Sequence, residues 1–190
     1  MSKFPLALIA FALLSVSLFA AQVPRPAEDL TFKLPDGKEK HLSEYRGKVL
    51  AVIFMSPTCP HCQALTQAIH ALPATYGPKG LQIVEIAFDA MASEIPGFNQ
   101  KYQPPFPVGS APRDKIEAFM QHSVMTPFMV PQMVLIDRQG VIQKQFAAGA
   151  PEFQMVPESL KGPIETLLNA APEKKASSPT HKRAAAAKKS

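Results

Sequence analysis

The sequence of 190 residues contains only two cysteines and five histidines, and it has no tryptophan. Because Cys59 and Cys62 are the only cysteines, the chain cannot form a framework of several disulfides or a four-cysteine zinc site. Two histidines in the spacing of a zinc finger could complete such a site, but no such pair is present. Attachment of haem needs a histidine directly after the second cysteine, where this chain has Gln63. These absences disfavour metal and haem binding at the cysteine pair.

An excess of basic charge is also missing from most of the chain. The 20 lysines and arginines outnumber the 15 acidic residues, but residues 171–190 account for the whole difference, with six basic residues against one glutamate. Residues 1–170 are therefore neutral overall, which argues against nucleic acid as a partner. The tail lacks large apolar residues and is predicted to be disordered, and its charge could touch an anionic lipid or cell-wall surface.

Long apolar runs are absent except at the N-terminus, where residues 4–21 follow the single positive charge of Lys3. This pattern is typical of a signal peptide, so we expect residues 1–21 to direct export, with the bacterial periplasm as the expected location. The run is also at the lower length limit for a retained membrane anchor. No cysteine lies near the cleavage region, which excludes a lipoprotein anchor. Residues 22–170 have the length of one soluble domain.

Within residues 22–170, strand and helix patterns alternate. Residues 49–55 and 81–89 are apolar runs typical of strands covered on both faces. Between them, helical spacing runs from Cys59 to Pro73, so the three elements predict a βαβ unit. The other predicted elements are a strand at 30–34 entering a hairpin, two short helices near 94–102 and 113–122 with a proline-rich strand, a hairpin of strands at 132–136 and 141–146, and a final helix at 158–169.

The cysteine pair opens the predicted helix at the carboxyl end of a buried strand. The helix N-terminus supplies free N–H groups and a partial positive charge, which stabilise a thiolate at Cys59. Pro60 suits the first helical position because it has no N–H to leave unsatisfied. His61 can add a positive charge or a hydrogen bond. This arrangement favours thiol-disulfide exchange, in which Cys59 attacks and Cys62 resolves the mixed disulfide.

Other interpretations of the cysteine pair remain open at this point. A purely structural disulfide would close so small a loop that it removes little chain entropy. Copper(I) binding is a non-enzymatic alternative, because methionine and histidine lie near the cysteines in the sequence. Met125, Met129 and Met133 could form an apolar platform for substrate peptides, but we favour a place in the core for them.

The motif F-x-L-P-D-G-K-x-x-x-L-S-E-Y-R-G-K-V-L-A-V-I-F, which begins at Phe32 and precedes C-P-H-C, resembles exported thioredoxin-like proteins of the TlpA, ResA and CcmG kind. The resemblance implies an α/β thioredoxin fold, a mixed central sheet flanked by helices, with an extra N-terminal hairpin and a short central insertion. It also implies a cis bond before Pro131, which would face the cysteines and present backbone to the substrate. No cofactor is implied.

Pro60 and His61 between the cysteines, and Val130 before Pro131, are similar to DsbA, a disulfide donor. We therefore assign Pro60, Val130 and Pro131 to substrate binding. The predicted activity is that of a thiol-disulfide oxidoreductase, and disulfide donation is the favoured direction. The alternative is a reductase for cytochrome c maturation or for other periplasmic thiols. The partners are protein thiols or disulfides and a redox partner protein, which could be membrane-bound. A peroxidase role is weaker, although Ser56 occupies the place of that mechanism's hydroxyl residue.

The chain departs from the resembled proteins at three positions. Thr58 replaces the usual tryptophan, and the acids that handle the buried thiol's proton in relatives are replaced by Ile53 and Leu65. Glu85, within the second apolar run, is the remaining candidate for a proton acceptor of Cys62, because burial would raise its pKa. The alternative is that Glu85 is reached by solvent and pairs with a surface lysine.

Overall fold

The computed structural model describes residues 22–123, 125–153 and 158–170. The predicted signal peptide, residues 1–21, and the predicted basic tail, residues 171–190, lie outside the described residues. None of the helices in the described part is long and apolar enough to cross a membrane.

Eight strands form one mixed sheet in the described residues: β1 Arg25–Pro26, β2 Thr31–Lys33, β3 Glu39–His41, β4 Val49–Met55, β5 Leu81–Phe88, β6 Val108–Ala111, β7 Gln132–Ile136 and β8 Val141–Phe146. Their order in the sheet is β1-β8-β7-β4-β5-β6-β2-β3. The central strand β4 runs parallel to β5 and antiparallel to β7, while β5 runs parallel to β6. This is the mixed sheet that the resemblance implies.

Five α-helices cover this sheet in the described residues: α1 Pro60–Ala68, α2 Leu72–Tyr76, α3 Ile95–Tyr102, α4 Arg113–Phe119 and α5 Glu158–Asn169. Short 3₁₀ helices occupy Leu42–Tyr45, Gly77–Lys79, Asp89–Glu94 and Pro151–Phe153. The parallel pair β4 and β5 is connected through α1 and α2, which confirms the predicted βαβ unit and places α1 at the carboxyl end of β4.

The sheet has a separate apolar core on each face, because side chains alternate along a strand. In β4, Val49, Ala51, Ile53 and Met55 belong to the core that α1, α2, α3 and α5 cover. Leu50, Val52 and Phe54 belong to the opposite core, which α4 and the N-terminal hairpin cover. All seven residues of β4 are buried, as expected for a strand covered on both sides.

The predicted helix from Cys59 to Pro73 is wrong in its extent. Helix α1 ends at Ala68, and α2 begins at Leu72 with Pro73 in its first turn. Proline is favoured there because the first helical N–H groups have no partner within the helix. Pro73 therefore starts a second helix instead of ending the first.

The N-terminal hairpin of β2 and β3 is built into the main sheet through β6, where Lys33 pairs with Ser110. A Cβ atom on Gly109 would lie 2.6 Å from the carbonyl oxygen of Lys33, so only glycine allows this close approach of the strands. The hairpin and the insertion between β5 and β7 are both present, as the resemblance implies. Helix α4 ends three residues earlier than predicted, before the positive φ of 50° at Gln121.

Candidate active site

Cys59 is the residue that immediately precedes α1. Its backbone is extended, with φ −78° and ψ 121°, and its side chain does not cap the helix. The first helical hydrogen bond runs from the N–H of Gln63 to the carbonyl of Cys59, at 3.0 Å. Cys59 is half-buried and stands at the N-terminus of the helix, an end that favours negative charge.

Cys62 lies one turn into α1 and only 1% of it is exposed. Burial is the main cause that raises the pKa of its thiol far above the ordinary value, while a hydrogen bond from the N–H of Ser56, at 3.4 Å, opposes this. The nearby Cys59 and Glu85 raise the pKa further. The two sulfurs are therefore chemically different: Cys59 is accessible, and Cys62 is held as a neutral buried thiol.

The segment before β7 brings backbone to the accessible sulfur. The peptide bond between Val130 and Pro131 is cis, and the carbonyl oxygen of Val130 lies 3.9 Å from the sulfur of Cys59. Pro131 is buried and Val130 is partly exposed. The Val130 carbonyl is therefore a backbone group that the structure places next to the Cys59 sulfur.

Glu85 lies in the middle of β5, between Ile53 of β4 and Val108 of β6. Its side chain shares the face of Ile53, on the core that contains Cys62. It is 0% exposed, and burial raises its pKa to about 8, against a smaller lowering by a hydrogen bond from Thr66. The alternative of a solvent-reached Glu85 paired with a surface lysine is wrong, because the residue is buried and makes no ion pair with a described residue.

The two residues between the cysteines are exposed. Pro60 is the first residue of α1, as predicted. His61 is exposed, and its ring forms no hydrogen bond with any described residue. Of the two effects predicted for His61, the hydrogen bond to Cys59 is not present, and only the effect of a positive charge is left as a prediction.

A groove of about 540 Å³ opens beside Cys59. One wall is the outer face of α1 with His61, Ala64 and Ala68, and the base is the segment 129–131. The opposite wall is formed by residues 148–150 and Phe153. The described residues of the lining include no lysine, arginine or carboxylate, so this part of the surface is mainly apolar.

The methionines divide between this surface and the core. Met133 is buried, with 1% exposed, but Met125 and Met129 are 87% and 61% exposed. The expectation of a core position was right for Met133 and wrong for the other two. Met129 lines the groove directly, where its flexible thioether can adapt to different apolar side chains.

Sequence reasoning missed Thr66, which is completely buried. Its hydroxyl oxygen lies 2.7 Å from Oε1 of Glu85 and 3.0 Å from the carbonyl oxygen of Cys62. A polar residue four positions after Cys62, on the apolar face of the helix, was the available signal. Sequence reasoning also missed the groove wall at 148–153, because it follows β8 and is distant from the cysteines along the chain.

The geometry therefore combines an accessible helix-terminal thiol, a buried thiol and a cis-proline segment on a mixed sheet. A family model for the AhpC/TSA family matches residues 23–145, which is more than half of the chain. The chain belongs to the AhpC/TSA family. The matched residues include both cysteines, Glu85 and Pro131, so the whole constellation lies within the part that defines membership.

Solved structures of the same fold agree with this assignment. A proposed protein disulfide isomerase from Bacteroides thetaiotaomicron is 25% identical, with a TM-score of 0.64, over 78% of this chain and 91% of that one. A proposed thiol:disulfide interchange protein DsbE from Chlorobium tepidum is 24% identical, with a TM-score of 0.64, over 76% and 96%. A secreted disulfide oxidoreductase from Mycobacterium tuberculosis is 21% identical, with a TM-score of 0.57, over 72% and 95%. The fold is thus thioredoxin-like.

Proposed function

We propose that this AhpC/TSA family protein is an exported thiol-disulfide oxidoreductase that donates disulfides to protein substrates. The observation that carries the proposal is the unequal pair of sulfurs: half-buried Cys59 lies 3.9 Å from the Val130 carbonyl, and Cys62 is buried one turn behind it. Such a pair can bond a substrate sulfur at Cys59 while Cys62 remains out of reach of the substrate. The names of the structural neighbours, all of them disulfide-exchange proteins, agree with this.

In the donating direction the oxidised protein holds a Cys59–Cys62 disulfide. A substrate thiolate attacks the sulfur of Cys59, the Cys59–Cys62 bond breaks, and Cys62 leaves and takes up a proton. A second substrate thiolate then attacks the substrate's own sulfur and releases Cys59 as a thiolate. The substrate loses two electrons to the protein and releases its two thiol protons to solvent. The reduced protein then holds a Cys62 thiol and a Cys59 thiolate, which a redox partner protein must reoxidise.

Glu85 is the proposed proton donor for Cys62 in this direction. Because the pKa of Cys62 is raised by burial, its thiolate is a poor leaving group unless it is protonated. Burial raises the pKa of Glu85 to about 8, so at neutral pH most Glu85 carries a proton. Glu85 can then supply a proton as Cys62 leaves, and in the reducing direction its ionised form would accept one from Cys62.

The apolar groove and the segment 129–131 are the proposed substrate site. A substrate bonded to Cys59 must pass the Val130 carbonyl, and its neighbouring side chains then lie over the groove beside Met129. Pro60, Val130 and Pro131 contact the substrate in this proposal. An uncharged, adaptable surface suits unfolded polypeptide, which exposes apolar side chains.

The direction is tested by the reduction potential, measured against glutathione redox buffers. A disulfide donor is expected close to the potential of about −120 mV that is typical of DsbA, and a reductase close to thioredoxin's, about −270 mV. The protein should also speed disulfide formation in reduced, unfolded ribonuclease, and the variants Cys59→Ser and Cys62→Ser should not. A potential near that of thioredoxin, with faster reduction of insulin, would replace this proposal by the reductase alternative.

Export and the domain limits belong to the same proposal. Residues 1–21 are proposed to be cleaved as a signal peptide, residues 22–170 to form the catalytic domain, and residues 171–190 to be a basic tail. The periplasm is the proposed location, because disulfides persist in oxidising compartments. N-terminal sequencing of the protein from a periplasmic fraction tests this, and a mature chain beginning at Met1 would contradict cleavage.

A further inference from the structure

The hydroxyl of Thr66 lies between two oxygen atoms that belong to different parts of the site. One is Oε1 of Glu85 on β5, at 2.7 Å, and the other is the carbonyl oxygen of Cys62 on α1, at 3.0 Å. Both distances are those of good hydrogen bonds. Thr66 is thus the direct link between the buried carboxyl and the backbone of the resolving cysteine.

The number of protons shared by Thr66 and Glu85 determines how many hydrogen bonds these three groups can form. A threonine hydroxyl has one proton to donate, whereas a carbonyl oxygen and an ionised carboxylate can only accept. When Glu85 is ionised, the Thr66 hydroxyl can therefore satisfy only one of its two neighbours. When Glu85 is protonated on Oε1, it can donate to Thr66, and Thr66 can donate to the carbonyl of Cys62. Both short distances are hydrogen bonds only in the protonated state.

We propose that Thr66 is a positioning residue whose hydroxyl changes hydrogen-bond partner with the proton on Glu85, so that ionisation of Glu85 and the backbone of Cys62 are coupled. With Glu85 protonated, the chain of donors runs from Glu85 through Thr66 to the Cys62 carbonyl. On ionisation the Thr66 proton turns to Oε1, and the carbonyl of Cys62 loses that donor. The inference rests on the proposed role of Glu85 as the proton donor for Cys62.

Among the described residues, Thr66 is the one side chain that forms a hydrogen bond with the Glu85 carboxyl. The second carboxyl oxygen, Oε2, is buried and has no hydrogen-bond partner among the described residues. The strand neighbours Ile53 and Val108 carry no charge. The titratable side chains in this core or packed against it are Cys59, Cys62, Tyr76 and Tyr102. The other titratable groups on the covering helices are exposed or half-buried: His61, Lys101, Glu158, Lys161 and Glu165. The hydrogen bond from Thr66 lowers the pKa of Glu85 and so opposes the effect of burial.

The experiment compares Thr66→Val, which keeps the shape but removes the hydroxyl, with Thr66→Ser, which keeps the hydroxyl. Ionisation of Glu85 is followed in the full-length reduced protein by infrared spectroscopy of its carboxyl band, identified as the band lost in Glu85→Gln. A hydrogen bond to an ionised carboxylate is about twice as strong as one between neutral groups, so it outweighs the bonds that Thr66 makes in the neutral state. Loss of the Thr66 hydroxyl should therefore move the titration midpoint up, by about 1 pH unit. Thr66→Ser should return it to within about 0.5 units of the unmodified protein.

Thr166→Val is the matched control. The Thr166 hydroxyl donates to the carbonyl of Gly162, four residues earlier, at 2.9 Å, in the same way that Thr66 approaches the carbonyl of Cys62. It lies on α5 and touches no carboxyl group, so its loss should leave the Glu85 midpoint in place. Should Thr66→Val not fold, Thr66→Ala removes the same hydroxyl without adding a methyl group.

The inference is overturned if the Glu85 midpoint is the same in Thr66→Val and in the unmodified protein, whatever happens to thermal stability. It is also overturned if Thr66→Ser fails to restore the midpoint, because a hydroxyl alone would then not be the cause. These results do not depend on turnover. Failure of the proposed function appears separately, as a pH dependence of disulfide exchange that is unchanged in Glu85→Gln.

Discussion

At the scale of single residues, the environment gives chemically similar groups different behaviour. Cys59 and Cys62 are three positions apart, yet one is accessible at a helix start and the other is 1% exposed. Glu85 stands on the strand beside Ile53, the position that is acidic in the resembled thioredoxins, and faces the same core. A carboxyl group is therefore restored to this region from the neighbouring strand.

The buried Glu85 should make folding stability depend on pH. Its folded pKa is raised to about 8 from 4.5, so the folded protein holds this proton at pH values where the unfolded chain loses it. The stability associated with the neutral carboxyl is complete below pH 4.5 and is lost progressively as pH rises to about 8. Glu85→Gln cannot ionise, so its thermal midpoint relative to the unmodified protein should rise across this interval and then level off.

The measurement is thermal unfolding of the reduced proteins, followed by circular dichroism at several pH values. Glu39→Gln serves as the control, because it makes the same chemical change at a side chain that is 55% exposed. A pH dependence seen only in Glu85→Gln is then due to burial. A constant difference between Glu85→Gln and the unmodified protein from pH 4.5 to 8 would show that Glu85 is not desolvated in the folded state.

At the scale of elements, the unpaired backbone groups at the helix ends have identifiable partners or uses. Helix α1 begins directly after Cys59, and Pro60 in its first turn needs no N–H partner. At the C-terminus of α5, an arginine from another segment binds the unpaired carbonyl groups. The guanidinium of Arg138, in the turn between β7 and β8, donates to the carbonyls of Leu167 and Leu168 at 3.1 and 3.0 Å. These carbonyls belong to the last turn of the helix, where no helical N–H group is available to donate to them.

Arg138→Ala should lower the free energy of unfolding by about 1 to 3 kcal/mol, because hydrogen bonds from a charged donor to the helix end are lost. Arg138 also reaches the carbonyls of Lys79 and Ala170, each at 3.4 Å, so it connects three segments. Urea unfolding measures the loss. Arg113→Ala, which removes an exposed ion pair with Glu117 at 2.7 Å, is the control and should cost less than about 1 kcal/mol. Equal losses in both variants would contradict the capping role.

At the scale of the whole molecule, charge and catalysis occupy different parts of the chain. The net charge of +5 is contributed by residues 171–190, whereas the groove beside Cys59 is lined, within the described part of the chain, by no lysine, arginine or carboxylate. In the proposed function, substrates are therefore bound by apolar contact and sulfur chemistry, without attraction to a charged groove.

Truncation after Ala170 should leave disulfide exchange within about twofold of the full chain at physiological salt, because the tail's charge is largely screened at the Debye length of about 8 Å. The rate of ribonuclease reoxidation, measured for both proteins at low and high salt, checks this. Substitution of the six basic tail residues by serine in the full chain is the matched control. A large loss of rate in both variants would instead assign the tail to substrate capture.

Much of the site could be predicted because it depends on short stretches of chain. The apolar run of β4, the cysteine spacing and Pro60 each act within a few residues, so they place Cys59 at a helix start without knowledge of the rest. The length of that helix could not be predicted, because the turn after Ala68 is set by packing of α2 against β5 and by the tolerance of Pro73 in a first turn.

The sequence by itself thus determined the two faces of the sheet, the βαβ unit and the position of Cys59 at the start of a helix, since side-chain periodicity and helix-end chemistry are local. Only the tertiary structure decided that Glu85 is desolvated, that Thr66 joins it to Cys62, and that Met129 and Phe153 border a groove. These facts depend on contacts between residues far apart in the chain. At such contacts the chemistry is set by burial and by the number of protons available for hydrogen bonds, as well as by residue type.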